Sequence, residues 1–117
     1  MKPERVFAYT FASIYPHYLK KVDSKGRTKD ELDQVLEWLT GYDSKGLQNV
    51  IESRADLRTF FEQAPKFNEK ASQIKGVICG VRVEEITDPL MQKIRYMDKL
   101  VDELAKGKAL TKVMRQD

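Results

Sequence analysis

Residues 74–107, IKGVICGVRVEEITDPLMQKIRYMDKLVDELAKG, decide the fold, because they join a glycine-spaced apolar run, an acidic turn and a long amphipathic pattern without a break. In the second half, Asp88 caps a helix and Pro89 takes its first position, where the missing amide donor costs nothing. Leu90, Ile94, Met97, Val101 and Leu104 then alternate spacings of four and three, a seam suited to packing against another helix. Lys99 with Glu103 and Asp102 with Lys106 set opposite charges one turn apart, and Gly107 stops the helix. The first half has two readings. Val77, Ile78, Val81 and Val83 have the β-branched density of a strand. Ile74, Val77, Ile78 and Val81 also recur at i, i+3, i+4, i+7, and Asn68 with Glu69 resembles a helix entrance, so the spacing predicts a helix reaching about Val81. Gly76 and Gly80 would then share a face and allow a tight helix crossing, each at a cost of about 1 kcal/mol relative to alanine. A short strand near Val77–Val83 is the alternative.

Upstream, period and punctuation predict four more helical segments. Phe7, Phe11, Ile14, Tyr15, Tyr18, Leu19 and Val22 recur at helical spacing, but Pro16 removes a donor and pushes Tyr15 out of the helical region. The helix is therefore expected to start near Pro16 and to end at Gly26, with a separate turn or an extended arm before it. Thr28 and Glu31 form a capping box ahead of the Leu32, Val35, Leu36, Leu39 stripe, with Trp38 beside it and Gly41 at the end. Asp43 or Ser44 opens a third segment carrying Leu47, Val50 and Ile51. Leu57, Phe60, Phe61 and Ala64 form a fourth, closed by Pro65 and anchored by the phenylalanine pair. Leu110, Val113 and Met114 predict a short terminal helix or a docking tail.

The expected fold is an all-α, single compact domain spanning residues 1–117, with about five or six helices; the alternative is α+β, with the short strand near Val77–Val83. A 117-residue chain with 41% hydrophobic and 33% charged residues suits one globular core, and no apolar run is long enough to cross a bilayer. The N-terminus lacks the pattern of a signal peptide, so a cytoplasmic location is expected. Cys79, the sole cysteine, cannot form an internal disulfide and is expected to be buried as a small hydrophobe.

Two blocks, Thr28 to Tyr42 and Gly76 to Gly107, together with Phe11-Ala-Ser-Ile-Tyr-Pro16, resemble the bacterial domain-of-unknown-function family 2200 across almost the whole chain. The resemblance implies a small multihelical bacterial protein and carries no activity to any residue.

Three constellations bear on function. Arg82, Glu84, Glu85 and Asp88, with Arg95 and Tyr96 two turns into the following helix, would make a polar pocket in which carboxylates act as acid and base or bind a hard cation if the turn folds back. Capping and local ion pairing account for the same charges. Phe7, Tyr9, Phe11, Tyr15, His17, Tyr18, Lys20 and Lys21 interleave aromatics with cations, as single-stranded nucleic-acid binders do. A core stripe with a solvated lysine edge explains them equally, and a net charge of +3 argues against a dedicated nucleic-acid binder. The seam of the Asp88 helix and the apolar tail would make a homodimer interface if they stay exposed. With one histidine and one cysteine, no metal site or cofactor is expected, and the sequence has no nucleophile elbow, phosphate loop or dinucleotide fingerprint. The expected role is a protein-interaction or accessory module, its partner a second copy or another protein. A small-molecule binder or acid–base enzyme at the Arg82–Asp88 turn is the competing reading.

Overall fold

Residues 3–116 are described by a computed structural model; Met1, Lys2 and Asp117, included in the expected domain, lie outside them. The order is α1 (Pro3–Ala8), α2 (Phe11–Asp23), α3 (Lys29–Thr40), α4 (Ser44–Ser53), α5 (Leu57–Glu62), a two-strand ribbon of β1 (Val77–Ile78) and β2 (Val81–Arg82), α6 (Pro89–Ala105) and α7 (Leu110–Val113). Short 3-10 turns flank the ribbon at Glu69–Gln73 and Val83–Glu85. The fold is mostly α, as the periodicity requires, and the short α1 and α7 bring the helices among the described residues above the expected five or six.

The apolar stripes of these helices meet in one core. α6 packs against α1, α2, α3, α5, α7 and the ribbon, so its seam is consumed internally: Ile94, Met97, Val101 and Leu104 are buried. Phe60 lies at the aromatic centre, its ring 4.3 Å from that of Phe11 and 5.1 Å from that of Tyr42. The capping box forms as read: Thr28 Oγ1 accepts from the Glu31 amide and the Glu31 carboxylate accepts from the Thr28 amide. Val113 and Met114 are buried against the same core, which gives the terminal segment to its own chain.

Two expectations about helix boundaries are corrected. α2 begins at Phe11, not Pro16, and runs straight through the proline. Thr10 caps it by accepting from the Ser13 amide, and burial of Phe11 and Tyr15 offsets the one hydrogen bond that Pro16 cannot make.

The helix expected over 68–81 is absent. Asn68 does cap a turn, but it is a 3-10 turn that ends at Gln73, and the glycine-spaced run becomes an antiparallel hairpin pairing Val77 with Arg82 and Ile78 with Val81. Cys79 and Gly80 are its two-residue loop, with φ of 52° and 79°, the positive-φ pair of a type I′ turn. Gly76 has φ 115°, so the glycines provide backbone reversals and not a close helix crossing. Ile74 and Val83 are fully buried and nail both ends of the ribbon to the core, whereas Val77 and Val81 remain outside. A helix would have kept the same spacing but would have paid for two interior glycines, and four apolar residues at i, i+3, i+4, i+7 fit a short ribbon equally well.

Tyrosine hydroxyls stitch the helices together and set an alkaline limit. Burial and the Asp33 carboxylate push Tyr15 up to about 12; burial and Asp98 hold Tyr18 well above its usual value; burial also raises Tyr42 and, with help from Glu84, Tyr96. A phenol whose folded value is raised contributes stability that is intact below about pH 10, where the unfolded group ionises, and is lost as pH climbs through the folded value. Melting temperature is therefore expected to fall between about pH 10 and 12, and the phenolate absorbance of these four groups should arrive together with loss of helical circular dichroism. Full titration of all the phenols near pH 10 in a protein that stays folded would contradict these contacts.

Candidate functional site

The hairpin folds back over the first turns of α6, as the candidate polar cluster requires. Val83 is its pivot: its carbonyl accepts from Gln92 Nε2 at 2.9 Å, and its amide donates to the Gly76 carbonyl at 3.0 Å. Asp88 caps α6 by accepting from the Met91 amide at 2.9 Å. Between ribbon and helix lies an open groove of about 560 Å³, and Arg82, Glu85, Asp88 and Arg95 all line it. Four of the six candidate residues thus share one surface.

The other two do not. Glu84 turns away, its carboxylate accepting from the Gly76 amide at 3.0 Å, and this hydrogen bond holds its pKa below the usual value. Tyr96 is buried in the core. The charges within the groove are largely spoken for. Arg82 lies between Glu84 and Glu85 at 3.6 and 4.0 Å, and Arg95 Nη1 donates to Asp98 Oδ2 at 2.8 Å. A carboxylate pushed down in pKa and facing a backbone amide is not poised as an acid near neutral pH.

Cys79, expected inside, is exposed. The turn places it on the rim of the groove, where Arg95 Nη1 donates to Sγ at 3.4 Å. The type I′ turn is the reason: a loop residue has no sheet face to bury, whatever its polarity. Val81, Ile86 and Met91 supply apolar lining that a search for charged residues passes over. Behind Arg95, Asp98 accepts from the Tyr18 hydroxyl, linking the groove to α2. That contact joins residues 80 apart and leaves no trace in the sequence; the Cys79-Gly80 loop does leave one, a positive-φ candidate between two β-branched pairs.

The N-terminal aromatics are spent differently. Phe7, Phe11 and Tyr15 are buried and Tyr18 packs against the core, leaving Tyr9 exposed and removing most of the stacking platform that nucleic-acid binding would use. No three His, Cys, Asp or Glu side chains among the described residues are grouped as a metal site. No helix among them is long and apolar enough to cross a membrane.

The sequence matches, over residues 5–115, the family model described as "Uncharacterized protein conserved in bacteria (DUF2200)". The crystal structure of uncharacterized protein SP1917 is similar to this one with a TM-score of 0.91 and 41% sequence identity, over 98% of this chain and 94% of that chain. No curated protein matches.

Proposed function

The chain belongs to the DUF2200 family of bacterial proteins, and we propose that this member is a cytoplasmic interaction module that receives an apolar segment of another protein in the groove between its hairpin and α6. The observation that carries this reading is the exposure of Val77 and Val81, at 52% and 43%, on a ribbon whose two ends are fully buried. Val81 stands beside the apolar lining of the groove, so its exposed side chain and that lining offer a partner one connected surface. Val81 leads into the groove, where Ile86 and Met91 continue the apolar lining, and the two arginines on its rim already have carboxylate partners, so an apolar segment can enter without leaving either cation unpaired. Because the α6 seam is largely, and Val113 and Met114 of the tail are, buried in the chain's own core, the surplus that would have favoured a homodimer is absent there, which favours the hairpin as the partner surface. An exposed, unpaired thiol suits a reducing compartment.

Peptides selected from a random display library against the native protein test the proposal. They should carry apolar anchors and bind the Val81→Glu variant roughly tenfold more weakly or worse, since losing an interface anchor commonly costs more than about 1 kcal/mol. The variant's melting temperature should be unchanged. Selected peptides that bind Val81→Glu as well as the native protein would overturn the assignment.

A further inference from the structure

At the far end of α6 the chain builds a second concavity, of about 490 Å³, with a different chemistry. It is lined by Lys75, Lys99, Lys106 and Lys108, with Glu103 at its base and Gly107 at the turn. Glu103 is only 6% exposed, and its carboxylate is held by the Arg115 guanidinium, with Lys108 Nζ 3.5 Å away. Asp102, the neighbouring acid, is shared by Lys21 at 3.2 Å and Lys106 at 3.0 Å. Both carboxylates therefore face more cations than they can neutralise. Lys75 and Lys99 make no ion pair among the described residues. The four lysines and one glutamate that line the basin carry a net +3, as much as the entire chain.

Two features separate this basin from scattered surface lysines. Lys99 is half-buried and seated: its Cε lies 3.0 Å, and its ammonium 3.3 Å, from where a Cβ on Gly76 would stand, so the absence of that side chain makes its berth. The end of α6 would normally repel anions, but its carbonyls are occupied. The Lys106, Gly107 and Lys108 amides donate to Asp102, Leu104 and Glu103, a Schellman closure that quiets the negative pole.

We propose that this basin binds a compact polyphosphate group, either as inorganic polyphosphate or as the phosphate tail of a nucleotide. Its volume falls in the range of small-ligand sites. The cations on its rim are lysines, point charges that suit several phosphate oxygens at once, while the nearby guanidinium fork, which would favour a planar carboxylate, is engaged by Glu103.

Calorimetric titration with tripolyphosphate, ATP and a single-stranded RNA, each in rising salt, tests this. Tripolyphosphate should bind the native protein and raise its melting temperature. Lys99→Glu and, independently, the exposed Lys75→Glu should each weaken it roughly tenfold or more, whereas Lys45→Glu on α4 should leave it unchanged. ATP binding as tightly as tripolyphosphate would point to the phosphates alone, and tighter ATP binding would point to a nucleotide; either supports the basin. Absence of tripolyphosphate binding at millimolar concentration, equal weakening by Lys45→Glu, or RNA binding that tripolyphosphate does not displace would each overturn it.

Discussion

Phe60→Ala is expected to destabilise the protein by roughly 3–5 kcal/mol, the usual cost of removing a fully buried phenylalanine and leaving a cavity. Phe60 is 0% exposed and is the ring on which the aromatic cluster converges: stacked with Phe11 at 7°, stacked with Tyr42 at 25°, and edge-on to Phe61 at 78°. Its ring partners come from α2 and the loop between α3 and α4 as well as from α5 itself, so the void cannot close by moving one helix. Tyr42 also donates its hydroxyl to the Phe60 carbonyl at 2.6 Å, a backbone bond that survives the substitution but loses the packing that positions it. In chemical denaturation the midpoint should drop with little change in slope, and the melting temperature should fall by on the order of 10–20 °C. Tyr9→Ala, at a site 43% exposed, should change stability by no more than about 0.5 kcal/mol. A loss under about 1 kcal/mol for Phe60→Ala would mean that the stack is not the centre of the core.

Gly41→Ala should be the most damaging of the glycine substitutions. Gly41 ends α3 at φ 82°, and a Cβ there would stand 2.6 Å from the Lys66 amide nitrogen and 2.9 Å from its carbonyl oxygen. That approach is how α3 is capped from a distance. The Lys66 amide donates to the Thr40 carbonyl at 3.0 Å, the Asn68 amide to Leu39 at 2.8 Å, and the Asn68 side chain to Trp38 at 3.1 Å. A methyl group would lift this strand of chain off the helix end, adding overpacking of about 1–3 kcal/mol to a left-handed penalty of about 1–2 kcal/mol. Gly26→Ala isolates the second contribution, because φ is 79° there but nothing lies within 4 Å of the added carbon. The difference between the two variants in urea unfolding should therefore be roughly 2 kcal/mol. Equal losses would show that Lys66 does not approach so closely.

Legibility along the chain followed the length of the pattern. The capping box at Thr28, the Asp88-Pro89 start and the buried stripes of α3 and α6 rest on residues within one or two turns, and all form as read. The run through Gly80 was ambiguous because four apolar residues fit either period over so short a span, and the deciding quantity was the positive φ that Cys79, Gly80 and Gly76 adopt once Ile74 and Val83 are held in the core. Pro16 misled for the opposite reason: a local penalty was outweighed by Phe11 and Tyr15 packing on distant helices. The convergence of Arg82, Glu85, Asp88 and Arg95 could be suspected from their spacing, but the departure of Glu84 to the Gly76 amide and the burial of Tyr96 could not.

What the amino-acid order determined alone was which segments coil, where most of them stop and which side of each is oily, because those choices are governed by interactions between residues a few positions apart. Tertiary structure decided that the apolar seam of α6 and the terminal segment are spent on the chain's own core, that two valines and the lone thiol stay outside, and that the lysines at the end of α6 gather around two buried carboxylates. Those outcomes depend on which distant surface claims each side chain first, and burial in a shared core is settled by the whole chain at once.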